Sequence, residues 1–80
     1  MATKITTKIA VQKRFGRALK EFRLNSGLPV KIVGKLVNLR TNTIQHLERG
    51  THDPSILTLI KLSQLYNVSL DQLILGQVPS

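Results

Sequence analysis

No cysteine occurs among the 80 residues, so neither a disulfide nor a thiolate-bound metal can hold this fold together. Tryptophan is also absent, and two Phe and one Tyr are the only aromatics, which leaves an aliphatic core to supply stability. Acidic side chains are scarce: four Asp and Glu stand against twelve Lys and Arg. No apolar run is long enough to span a bilayer, and Met1 to Ala10 carry no apolar signal-peptide centre, so a cytoplasmic location is the expectation. Catalytic spacing is missing too. His46 and Glu48 stand about 200° apart on a helix and cannot share a ligand, and no Ser, Lys or carboxylate pair has the spacing of a reacting group. The sequence indicates no enzyme, no cofactor, no metal and no small-molecule ligand.

What remains is a chain of ordinary apolar content, 41%, sized for one small domain. Its charge is unevenly placed. Residues 1–40 hold ten basic side chains and one acidic, Glu21, for +9, whereas residues 41–80 hold two basic and three acidic, for −1. A basic half beside a near-neutral half suggests one surface that faces a polyanion and another that faces something else. A solvated basic face kept for solubility reads equally well from charge alone. An anionic membrane would require a broad apolar face on the first helix, which the sequence does not offer.

Along the chain, residues 1–10 read as a flexible basic arm with Lys4 and Lys8, and Thr6 or Thr7 as a helix cap. A first helix runs to about Asn25, with Val11, Phe15, Ala18, Leu19 and Phe22 on one face, and Gly27 closes it. Pro29 fits only the start of a second helix, which buries Ile32 or Val33, then Leu36 and Val37. Gly34 inside that helix costs about 1 kcal/mol relative to alanine, which points to another backbone passing close by. Asn38 suits a left-handed turn position. A third helix, about Thr41 to Arg49, ends at Gly50. Ser55 caps a fourth that reaches about Asn67, with Ile56, Leu59, Ile60 and Leu62 or Ser63 inward. Ser69 to Gln72 form a capping box for a short fifth helix that ends at Leu75 and Gly76. No strand pattern and no repeat is present, so the fold class is all-α with five helices.

The second and third helices, joined by a tight turn, make a helix-turn-helix over 29–50. On the third helix Ile44 and Leu47 point one way, while Asn42, Gln45, His46 and Arg49 point the other and Thr41 stands at the entering end. Such a face is short, rich in hydrogen-bonding groups and nearly free of carboxylates, where a plain surface helix mixes Glu with Lys. Asn and Gln can pair doubly with adenine, Arg and His can meet guanine, and Thr can touch a thymine methyl. A merely solvated polar face is the alternative.

Leu28 to Gly50, with its Leu-Glu-Arg-Gly ending at 47–50, resembles the helix-turn-helix of the lambdoid phage repressor and Cro family (XRE-like). Asp53-Pro54-Ser55, Leu59-Ile60-Lys61-Leu62 and Val68 to Leu73 are similar to that family as well, so the resemblance covers about Phe15 to Leu75. It implies a compact lambda-repressor-like domain over 11–76, with a tail over 77–80. It also implies that Arg23 pairs with Glu48, and that Thr41, Asn42 and His46, with Arg40 and Gln45 beside them, contact bases of double-stranded DNA. Arg49, Thr51 and His52 then meet the phosphate backbone. The family usually opens its second helix with Ser or Thr followed by Gln. Pro29 and Val30 stand there instead, and Lys31 and Lys35 compensate through charge. Arg40 occupies the usual cap position of the third helix, so either Thr41 caps one residue late or Arg40 is free to reach DNA. The resemblance further implies a homodimer built through Leu70, Leu73, Ile74 and Leu75, hence a repressor or autoregulatory controller that reads a two-fold operator. An antitoxin that holds a toxin on that apolar surface is the competing reading.

Overall fold

A computed structural model describes residues 7–78 and shows five helices in the order α1 (Lys8–Ser26), α2 (Val30–Val37), α3 (Thr41–Arg49), α4 (Ile56–Tyr66) and α5 (Leu70–Leu75). Each end has a local cause. The Thr7 hydroxyl accepts from the Ala10 amide at 3.2 Å, so α1 begins within the stretch expected as an arm, and Lys8 to Ala10 are helical. The rest of that arm, residues 1–6 with Lys4, lies outside the described residues, as do residues 79–80. Ser55 caps α4, and Ser69 with Gln72 forms the reciprocal box at the start of α5. Gly27, Asn38, Gly50, Asn67 and Gly76 all take left-handed φ, which lets the orphan carbonyls of each last turn find an amide.

Every helix gives side chains to one core: Phe15, Ala18, Leu19 and Phe22 from α1, Val33 and Val37 from α2, Ile44 and Leu47 from α3, Leu62 from α4 and Leu73 from α5. Burying each of these side chains other than Ala18 contributes about 1.5–3 kcal/mol. α1 packs against α3, α4 and α5, and α2 packs against α3 and α4.

Three inward assignments from sequence are corrected here. Leu36 is 58% exposed, because Val33 and Val37 set the buried line of α2 and Leu36 falls to its side. In α4, Ile56 is 74% exposed and Ile60 also faces out. That helix is apolar almost all round, and Thr58 and Leu62 turn inward instead, with Leu65 and Tyr66 partly buried beside them. Leu73 is fully buried at 0% exposure, so it completes the core of its own chain and is not available to a second copy.

Tyr66 stacks on Phe22 with ring centroids 6.0 Å apart, and burial pushes its phenol up to about 12, with the nearby Glu48 charge adding to the effect. An unfolded tyrosine loses its proton near pH 10, so between about pH 10 and 12 the unfolded chain binds fewer protons than the folded one. Stability therefore falls as pH rises through that window. Tyr66→Phe should leave stability at pH 7 nearly unchanged and flatten this alkaline decline, as read by urea unfolding at stepped pH. A decline equal to that of the parent chain would rule out the phenol as its source.

Candidate nucleic-acid interface

Two close backbone approaches and one ion pair fix α3 against the rest of the molecule. Gly16 lets α1 cross it closely: a Cβ there would lie 2.6 Å from the carbonyl oxygens of both Leu47 and Glu48. Gly34 does the same for the turn that leads into α3, since a Cβ would meet the Leu39 oxygen at 2.6 Å. The close neighbour is thus the chain's own turn, and the Leu39 amide donates back to the Gly34 carbonyl at 2.8 Å. The third contact is ionic. Arg23 Nε donates to Glu48 Oε2 at 2.7 Å and Arg23 Nη2 to Glu48 Oε1 at 3.1 Å, a two-point pairing. Arg23 Nη1 also donates to the Leu28 carbonyl at 3.1 Å, so one guanidinium joins α1, the α1–α2 turn and α3. These side chains are only 12% and 8% exposed, and the hydrogen bonds to Glu48 hold the Arg23 guanidinium above its ordinary value despite the cost of burial.

Glu48 is the sole carboxylate on α3, and this pairing removes it from the surface. The outward face then presents Thr41, Asn42 and Arg49 in the open, with Gln45 and His46 half-buried at its edges. Arg40 holds the N-cap position with extended backbone and no capping bond from its side chain. Thr41 is the first helical residue, which rules out the late cap and leaves the Arg40 guanidinium exposed beside Thr41. On α2, Lys31 and Lys35 are both exposed, one helical turn apart. Pro29 caps α2 by backbone alone, its carbonyl accepting from Ile32 and Val33 at 3.1 Å.

His46 and the Thr51-His52 loop were separate in the sequence reading, and the fold joins them. Thr51 Oγ1 donates to the His46 carbonyl at 3.2 Å and sits 3.4 Å and 3.1 Å from Nδ1 of His46 and His52. The two imidazoles lie 4.5 Å apart, tilted by 36°. His46 therefore stands at the C-terminal edge of the face rather than among Thr41 and Asn42. Close by, Gln12 Nε2 donates to Asp53 Oδ1 at 2.7 Å, and Lys8 Nζ stands 3.4 Å from Asp53 Oδ2. The Gln12 bond, with Lys8 adding, holds the Asp53 carboxyl below its ordinary range and ties the start of α1 to the α3–α4 loop.

A short helix with an exposed amide, hydroxyl and guanidinium face, rigidly braced from behind, is what reading base edges in a groove about 12 Å wide requires. The pattern that defines the Helix-turn-helix family matches residues 19–73. The chain belongs to the helix-turn-helix family. Among its relatives in this family is the HTH-type transcriptional regulator ImmR of Bacillus subtilis (strain 168), 42% identical over 59 residues. That match covers 74% of this chain and 46% of ImmR, so the chain spans about half the length of that relative. An uncharacterized HTH-type transcriptional regulator of Archaeoglobus fulgidus is 31% identical over 55 residues, covering 69% of this chain and 79% of that protein. The crystal structure of the restriction-modification controller protein C.AhdI from Aeromonas hydrophila superposes with a TM-score of 0.72 at 26% identity. It covers 78% of this chain and 94% of that one. The resemblance read from Leu28 to Gly50, and the five-helix all-α class, therefore hold.

Proposed function

We propose that this chain is a DNA-binding transcriptional regulator that reads a two-fold operator as a dimer, acting as a repressor or autoregulatory controller. The observation that carries this reading is the loss of Glu48 from the surface of α3. With that carboxylate held by Arg23, the outward face offers a duplex no negative charge to repel its phosphates. Arg40, Thr41, Asn42, Gln45 and His46 meet base edges, and Lys31, Lys35, Arg49, Thr51 and His52 meet phosphates. The similarity to C.AhdI, a restriction-modification controller protein, supports a controller role. Leu70 and Leu75 on α5 are exposed and Ile74 is half-buried, which supports them as the contact to a second copy once Leu73 is set aside. Two copies so joined would hold their α3 helices about 34–36 Å apart, one turn of DNA.

Selection of bound duplexes from a random pool tests the reading directly. It should enrich an inverted repeat with half-sites about one helical turn apart. A pool that stays unenriched would overturn it. Sedimentation of the purified chain should give a dimer; a monomer that pairs only with another protein would favour the antitoxin alternative. On the enriched duplex, Asn42→Ala should weaken binding about tenfold, or about 1.4 kcal/mol, and leave random duplex within about twofold. Equal losses on both would show that Asn42 reads no base.

A further inference from the structure

The exposed side of α1 carries a basic row that the recognition surface above does not use. Lys13, Arg17 and Lys20 are all exposed and recur at i, i+4 and i+7, within about 60° of one another around the helix. Over this stretch they span about 10 Å of helix axis. Among the described residues none of the three pairs with a carboxylate, for the two ion pairs are Lys8 with Asp53 and Arg23 with Glu48. Glu21, the one acidic residue on α1, lies about 100° round from Lys20 but only about 40° from Arg17, on the next turn, and no ion pair among the described residues joins it to Arg17. Location is the second observation. Lys13 Nζ donates to the Arg49 carbonyl at 3.4 Å, at the C-terminal end of α3. Lys20 borders a shallow depression of about 350 Å³ together with Gln45 and Arg49, both on the outward face of α3. The row is therefore continuous with the recognition face. Gly16 fixes this relation, because its close approach to the Leu47 and Glu48 carbonyls leaves α1 no freedom to slide along α3.

We infer that Lys13, Arg17 and Lys20 form a phosphate track, which binds the backbone of one DNA strand beside the groove that α3 enters. The inference rests on the DNA-binding reading and extends it to a helix outside the helix-turn-helix. Each strand of B-DNA carries one phosphate per about 3.4 Å of helix axis, and its winding sets successive phosphates farther apart than that, so a row about 10 Å long lies against two of them and the reach of its long side chains takes in a third. Three cations unpaired with any carboxylate then stand opposite three anions. Arg14 supplies the control: it is exposed and of the same charge, but its side chain lies against Gly76 at the end of α5, away from α3.

The test uses a mixed-sequence duplex of about thirty base pairs, with affinity measured at several salt concentrations. Each phosphate contact contributes about 0.9 to the slope of log K against log salt. Lys13→Gln/Arg17→Gln/Lys20→Gln should therefore reduce the slope by about 2.7, which is about a fortyfold smaller loss of affinity over a fourfold rise in salt. Arg14→Gln should alter it by less than about half a unit. These side chains are exposed, so the triple variant should melt like the parent. A triple variant with the parental slope overturns the track and assigns the row to solvent or to an acidic protein surface. A loss from Arg14→Gln equal to the average loss per site in the triple variant overturns it as well, since net charge alone would then account for the effect. Failure of the parent chain to bind any duplex would overturn both this inference and the reading beneath it.

Discussion

Glu48→Ala should destabilise the domain by about 3 kcal/mol, the lower end of the range for removing one partner of a buried ion pair. Two hydrogen bonds to the Arg23 guanidinium vanish, at 2.7 and 3.1 Å, and only the Leu28 carbonyl remains for it. A guanidinium cannot shed its proton to escape burial, so the exposed alternative is to swing out of the α1–α3 crevice. Either outcome loosens α3 from α1. A chain of this size has a total stability of about 4–12 kcal/mol, so the loss is a large share of it. Urea unfolding should show it as a midpoint lower by about 1–3 M at an unchanged slope. Glu48→Gln keeps an acceptor for Arg23 and should lose less. The pair replacement Arg23→Met/Glu48→Leu should recover most of the stability, because it leaves no unpaired charge. A Glu48→Ala midpoint equal to that of the parent would show that the bonding geometry contributes nothing.

That pairing illustrates which features were readable from the chain alone. Positions where a backbone needs a special conformation were plain: Gly27, Asn38, Gly50 and Gly76 each end a helix with left-handed φ, and Ser55, Ser69 and Gln72 begin one. These signals are local, so a few residues suffice to state them. Facing was harder. α4 has apolar residues on all sides, and periodicity cannot choose between the line through Ile56 and Ile60 and the line through Thr58 and Leu62. Only packing against the other helices decides that. The same limit applies to Leu73, which looked like surplus surface until α1 and α4 enclosed it. The His46, Thr51 and His52 cluster depends on how the α3–α4 loop folds back, and no spacing rule anticipates that. Gly16, by contrast, was overlooked although a signal existed. The argument that Gly34 marks a close backbone applies equally to a glycine in the middle of α1.

Gly16→Ala should destabilise the domain by about 2 kcal/mol, against the sign expected of a glycine replaced within a helix. Helix propensity alone favours the change by about 1 kcal/mol. Against this, the added Cβ would stand 2.6 Å from two carbonyl oxygens and 2.9 Å from the Gly50 amide nitrogen. All three are backbone atoms, so no flexible side chain can move aside, and α1 must retreat from α3. Overpacking of this kind costs about 3 kcal/mol at the upper end of its usual range. The steric cost exceeds the propensity gain. Gly50 adds to the constraint from the other side, since a Cβ there would meet the Gln12 oxygen at 2.8 Å. The same retreat would lengthen the Arg23–Glu48 bonds and tilt the recognition face, so sequence preference should fall along with stability. For a domain this small, 2 kcal/mol corresponds to a melting temperature lower by about 8–16 °C. Gly27→Ala is the matched comparison: its φ of 69° is unfavourable for alanine, but no atom lies within 4 Å of the new methyl. It should lose only about 1 kcal/mol and keep its DNA preference, because backbone conformation is the sole cost. If Gly16→Ala instead raises the melting temperature, the close crossing of α1 and α3 is not what holds the recognition helix in place.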